Sequence, residues 1–252
     1  MKKFKRDKLF VEVYDSRADM GAAAARDVCA KIRELLKTKS EINMIFAAAP
    51  SQNEVLASLA ADKSVEWSKI NAYHMDEYVG LSPTAPQGFG NFLREHLFGR
   101  VPFKSVSYID PSATDAEAEA ERYGALLREH PADIVVMGIG ENGHIAFNDP
   151  PVADFCDKKT AKVVPLDEIC RRQQVNDGCF EKITDVPTHA ITLTVPTLVG
   201  APHLFCIVPA KTKARAVKQT LDGEIGEHCP ATALRRHESA KLYLDPDSAS
   251  LI

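Results

Sequence analysis

Short apolar runs alternate with stretches of helical spacing from one end of the chain to the other. Phe10–Tyr14, Ile42–Ala49, Ile70–Met75, Val106–Ile109, Asp133–Met137, Ala190–Val195, Leu204–Val208 and Lys241–Leu244 read as strands. Between them, Met20–Leu36, Glu54–Ala61, Gly88–Leu97, Asp115–Leu127 and Lys213–Leu221 repeat apolar residues at three- and four-residue intervals, the period of a helix with one buried face. This alternation predicts an α/β fold, a doubly wound and mostly parallel sheet with helices on both faces. No repeat or linker interrupts it, so residues 1–252 are read as a single domain. The stretch from Pro150 to Asp185 breaks the rhythm with charges, cysteines and weak periodicity. It is predicted to be a long irregular insertion serving as a lid.

In such a sheet, ligands bind outside the carboxyl ends of the strands, so the residues just after each apolar run are the candidates for chemistry. After Asp133–Met137 comes Gly138-Ile139-Gly140-Glu141-Asn142-Gly143-His144-Ile145-Ala146-Phe147-Asn148-Asp149-Pro150. Its glycines, Gly143 among them, free the backbone to approach a substrate closely, and His144 is suited to moving protons near neutral pH. After Ile70–Met75 comes Asp76, a carboxylate able to reach the same crevice. A carboxylate and a histidine are the minimum set for a general base and a proton shuttle, although Asp76 reads equally as a turn cap. Ala47–Asn53 leads from a strand into a helix whose free N–H groups suit an anion, with Ser51 and Asn53 as ordinary N-caps in the alternative. Lys211, Lys213 and Arg215 crowd the first turn of another helix, where the macrodipole disfavours each cation by ~0.3–1 kcal/mol. An anionic ligand would offset that cost; exposed lysines are the plain alternative.

Gly138, Gly140 and Gly143 also spell the dinucleotide fingerprint, but Asn148-Asp149-Pro150-Pro151 would stop the helix that pattern requires. No Walker loop, Gly-x-Ser-x-Gly elbow or metal-ligand spacing occurs, so neither cofactor nor metal is expected. The formal net charge of −4 gives no general attraction to nucleic acid or anionic membrane. The basic start, Met1 to Asp7, is followed by no apolar region of the secretory type, and no run approaches the ~20 residues of a membrane span. Six cysteines lie scattered without a Cys-x-x-Cys pair, against both a disulfide framework and a zinc site. A cytoplasmic protein acting on a small molecule is expected, with self-assembly left open.

The blocks Met75-Asp76-Glu77-Tyr78-Val79-Gly80-Leu81, Gly138 to Pro150, Ala190-Ile191-Thr192-Leu193 with Pro196-Thr197-Leu198, and Lys213 resemble the glucosamine-6-phosphate deaminase (isomerase) family, in order and spacing. The related 6-phosphogluconolactonases share a Gly-x-Gly-x-x-Gly-His loop but differ from Ile145-Ala146-Phe147-Asn148 after the histidine. The resemblance implies a cofactor-free conversion of glucosamine 6-phosphate and water to fructose 6-phosphate and ammonia. It casts Asp76 as the base between C2 and C1, His144 as the ring-opening proton shuttle and Asp149 as its orienting partner. Ser51, Gln52 and Lys213 would hold the phosphate, with Arg172 as a second phosphate ligand.

The chain departs from the family in its phosphate loop, Ala48-Ala49-Pro50-Ser51-Gln52, which is usually glycine-rich. Asp149 replaces a more usual glutamate, and Asn142 stands where some members have an aspartate. These departures leave a galactosamine-6-phosphate isomerase or deaminase open, besides a 6-phosphogluconolactonase or a non-catalytic sugar-phosphate sensor.

Overall fold

Eight strands form the central sheet of the computed structural model, which describes all residues 1–252. In chain order the main elements are β1 (Lys2–Arg6), β2 (Leu9–Val13), α1 (Arg17–Leu35), β3 (Ile42–Phe46), α2 (Asn53–Ala61), β4 (Ile70–His74), β5 (Asp76–Tyr78) and α3 (Phe89–Leu93). They continue with β6 (Ser105–Ser107), α4 (Ala116–Glu129), β7 (Ile134–Met137), β8 (Ala161–Pro165), α5 (Glu168–Asn176), β9 (His189–Leu193), α6 (Val195–Val199), β10 (His203–Val208), α7 (Ala214–Asp222) and β11 (Ala240–Leu244). The sheet runs β1-β2-β11-β10-β7-β3-β4-β6, parallel throughout except at β1. The expected doubly wound sheet is therefore present.

Its strands are apolar because both faces are covered. Along β7, Ile134 and Val136 join one core while Val135 and Met137 join the other, and Met44, Phe46 and Ile45 of β3 divide the same way. Each such fully buried aliphatic side chain stabilises the fold by about 1.5–3 kcal/mol. The first helix starts where Ser16 accepts the Asp19 amide, and it turns Met20, Ala24, Val28 and Ile32 inward. Gly21 lets it lie against α2, since a Cβ there would come within 2.4 Å of the Glu54 Cβ.

Strand order explains where a site can form. After β3 the chain adds β4 and β6 on one side; after β7 it adds β10 and β11 on the other. The winding thus reverses between β3 and β7, and the loops leaving those two strands diverge to open a crevice at their carboxyl ends.

The reading of 150–185 as irregular is corrected. The segment contains β8 and α5, and β8 pairs antiparallel with β9, which in turn pairs with β5 in a second, three-stranded sheet. Strand β5 is only three residues long, Asp-Glu-Tyr, and is buried by its pairing rather than by an apolar pattern. The basic N-terminus likewise forms an edge strand whose lysines and arginine stay exposed, an arrangement that discourages pairing with other chains.

Candidate active site

A narrow cavity of about 60 Å³ lies at the winding reversal, bounded by the segments leaving β3, β4, β7 and β10 and by α5. Asp76, His144, Ser51, Gln52 and Lys213 all face it. Residues far apart in the chain thus converge as the strand ends require.

Asp76 opens β5, with Met75 alone between it and the end of β4. His74 fixes that junction from beneath. Its Nδ1–H donates to the Asp76 carbonyl at 2.9 Å, and its Nε2 accepts the Ile109 amide at 2.9 Å. Burial pulls the His74 pKa down to about 4, so the ring is neutral and both bonds persist at physiological pH. The Asp76 carboxyl is raised well above the usual carboxylate range, first by burial and then by the neighbouring charge of Glu77. No protein donor stabilises its anion, a condition that makes a carboxylate a stronger base.

Glu77 points the other way along the strand and accepts the amides of Tyr78, Phe89 and Gly90 at 2.9, 3.0 and 2.9 Å. Those bonds tie the start of α3 to β5 and hold Phe89 in the cavity wall. Burial nevertheless lifts Glu77 to about 7 against the three amides. Its charge is in turn one of the causes that raise Asp76. A base must be ionised to work, so kcat/KM should fall as pH drops through the raised Asp76 pKa. In Glu77→Gln the acid limb of the kcat/KM profile should move to lower pH, because a like charge has gone. A limb that stays in place would show that Glu77 acts only by holding the loop.

His144 stands on the loop after β7 with its ring against Gly140, where any Cβ would lie 2.1 Å from the imidazole. Its Nδ1 sits 2.7 Å from Asn142 Oδ1 and 2.9 Å from Asp149 Oδ1. Both neighbours are acceptors, so Nδ1 carries the proton and Nε2 is left as the acceptor. Asn142 closes the cluster by donating to Asp149 at 2.9 Å and accepting the His144 amide at 3.1 Å. Burial opposes ionisation of Asp149, but its contacts with His144 and Asn142 outweigh it and leave its pKa lowered. The asparagine thus orients both partners where a second carboxylate would repel Asp149. Ala146, next along, takes φ 48°, a left-handed conformation for a residue with a Cβ. Such strain commonly persists at functional loops because the surroundings over-determine it.

His144, Asp149 and Cys170 place potential ligand atoms within 4.8 Å of one another. The donor set suits a hydrogen-bonded relay better than a metal. Burial raises the Cys170 thiol well above its ordinary pKa, whereas a metal needs the thiolate, and His144 Nδ1 is already engaged.

At the other end of the cavity stands Lys213, 4% exposed, with neither a salt bridge nor a hydrogen bond to its ammonium. Burial lowers its pKa, partly countered by Asp177 and Glu141. Lys211 and Arg215, its companions in the crowded turn, point to solvent. A buried cation without a counter-ion is costly to fold, and a bound anion removes that cost. Around it, the amides of Ala48 and Ala49 donate to no protein group, so the loop after β3 presents free N–H donors despite lacking glycine.

Two expected contributors lie elsewhere. Arg172 projects from the exposed face of α5 and pairs with Glu168 one turn earlier at 2.6 Å. Gly143 faces away from the cavity, where a Cβ would meet the Cys229 sulfur at 2.5 Å, and its amide donates to Gly140 at 3.0 Å. Its φ of 86° explains the glycine as a turn requirement rather than a substrate contact. In their place α5 turns Gln173 and Gln174 to the cavity. Their signal was present as Cys170, Gln173, Gln174 and Asp177, which share one helical face once α5 is recognised, with Arg172 opposite.

Residues 15–244 match the family model of glucosamine-6-phosphate isomerases/6-phosphogluconolactonase. The chain belongs to this family. Among its relatives, a glucosamine-6-phosphate deaminase of Listeria monocytogenes is 36% identical over 215 residues, which is 85% of this chain and 90% of that protein. One of Bacillus cereus is 36% identical over 220 residues, 87% of this chain and 82% of that one. A solved monomeric glucosamine-6-phosphate deaminase superposes with a TM-score of 0.87 at 28% identity, covering 96% of this chain and 99% of its own. A 6-phosphogluconolactonase of Thermotoga maritima shares the fold, with a TM-score of 0.77 at 20% identity over 94% of this chain and 100% of that one. No helix is long and apolar enough to cross a membrane.

Proposed function

We propose that the protein isomerises and deaminates a hexosamine 6-phosphate, converting glucosamine 6-phosphate and water to fructose 6-phosphate and ammonia. The observation that carries this reading is Asp76, a buried carboxylate of raised pKa with no protein donor, opening into the same cavity as His144. Abstracting a proton from carbon requires such a base, whereas hydrolysis of a lactone requires only an activated water. The name borne by the relatives at 36% identity supports the same reading.

In this chemistry His144 Nε2 takes the proton from O1 of the pyranose and returns it to the ring oxygen, exposing the C1 aldehyde. The aldehyde makes the C2 hydrogen acidic. Asp76 removes it while the substrate ammonium passes a proton to O1, giving a 1-hydroxy-2-amino enediol analogue, and Asp76 then delivers its proton to C1. The resulting C2 imine adds water, and collapse of the adduct expels ammonia and leaves the ketone. Asp149 and Asn142 stabilise and orient the imidazole during the first transfer. Lys213, with Ser51 and the Ala48 and Ala49 amides, anchors the phosphate so that C1 and C2 stay at Asp76. Segment 150–185, with α5 over the cavity, serves as the lid. Six free cysteines suit a reducing cytoplasm.

The test is a panel of glucosamine 6-phosphate, galactosamine 6-phosphate and 6-phosphogluconolactone without added metal or nucleotide. Ammonia from at least one amino sugar is expected. Lactone hydrolysis with no ammonia from either amino sugar would replace this reading with the hydrolase.

A further inference from the structure

The two glutamines of α5 meet the cavity in different ways. Gln173 is occupied by the protein: its Oε1 accepts the Glu141 amide at 2.8 Å and its Nε2 donates to Asp177 at 3.3 Å. It braces the histidine loop against α5. Gln174 is 5% exposed and lines the cavity, yet neither atom of its side-chain amide bonds to the protein. Elsewhere in the wall, Gln52 is 1% exposed. Its nitrogen donates to the Ile207 carbonyl at 3.1 Å, which leaves Oε1 a buried acceptor without a donor. A fully buried acceptor without a donor, such as Gln52 Oε1, destabilises the fold, and a ligand that donates to it removes that cost.

The acceptor dictates the chemistry of the missing partner. A phosphate dianion carries no proton to offer Gln52 Oε1, so it satisfies Lys213 and the loop amides but not this oxygen. A hydroxyl group donates and accepts at once, and so matches both Gln52 Oε1 and the two-sided amide of Gln174. We propose that Gln174, together with Gln52, reads hydroxyl groups along the sugar chain, and that Gln174 sets the preference between hexosamine epimers. This rests on the sugar-phosphate reading and extends it, placing specificity on the lid helix in a neutral side chain.

The experiment compares kcat/KM for glucosamine 6-phosphate and galactosamine 6-phosphate in wild type, Gln174→Leu and Arg172→Ala. Gln174→Leu is expected to lower kcat/KM for the preferred epimer about tenfold, as loss of one hydrogen bond implies, and to bring the epimer ratio toward one. Its Tm should not fall, because the Gln174 side chain makes no hydrogen bond to the protein that leucine would break. Arg172→Ala, altered on the exposed face of the same helix, should match wild type. Unchanged kinetics in Gln174→Leu, or equal losses for both epimers, would overturn the assignment while leaving the sugar-phosphate reading intact. A wild type inert toward both amino sugars would overturn that reading and this inference with it.

Discussion

Replacing Asp76 by asparagine should lower turnover of the amino-sugar phosphate by about 10²–10⁴-fold, the range that a positioned acid–base group supplies. KM should change little, because the amide keeps the shape of the carboxylate and the rest of the cavity lining, Lys213 included, is unaltered. The stability of the variant separates chemistry from structure. Burial and the Glu77 charge both disfavour the Asp76 anion, so a neutral isostere relieves an unfavourable charge. Thermal unfolding should therefore occur at or above the wild-type Tm at neutral pH, where the anion is most disfavoured relative to the unfolded chain. Near-normal turnover in this variant would remove Asp76 from the mechanism. A large drop in Tm would instead make it a structural residue.

The second large effect belongs to Lys213, and methionine is the informative replacement because it keeps the stem and discards the ammonium. A charge-assisted hydrogen bond contributes about 1.5–3 kcal/mol, so Lys213→Met should raise KM for the phosphorylated sugar by roughly 10–150-fold. A sugar without the phosphate should not distinguish the variant from wild type. Without ligand, the variant should be the more stable protein, since its buried ammonium has no counter-ion in the fold. Lost binding with gained stability is the signature of a residue kept for function. Equal losses for both sugars, or a lower Tm, would make Lys213 part of the scaffold.

Those two residues were legible in the sequence for physical reasons. Asp76 comes after a fully buried strand, and Lys213 sits among cations at a helix start, where the dipole opposes them. His144 was legible through the glycines that let its ring pack, as Gly140 does against the imidazole. The central sheet was equally readable, because strands covered on both faces must be apolar along their whole length, as Ile134–Met137 is.

What escaped reading depends on contacts distant in sequence. Strand β5 is polar and too short to show alternation, and only pairing with β9 makes it a strand. Helix α5 buries Cys170, Gln173 and Gln174, a face too polar to register as an amphipathic stripe. Without that helix the inward and outward faces of 168–176 could not be told apart. The resemblance offered Arg172 as a second phosphate ligand, whereas the helix places it on the exposed face, paired with Glu168.

Glucosamine 6-phosphate deuterated at C2 reports whether Asp76 removes the proton from that carbon. With the wild-type enzyme, ammonia should appear together with fructose 6-phosphate, and the deuterium should be recovered at C1 of that product or in the solvent. With Asp76→Asn the label should remain on C2 of unreacted substrate. Retention of the label by the wild type, while 6-phosphogluconolactone is hydrolysed in the same preparation, would exclude proton abstraction at C2 and make the protein a lactonase.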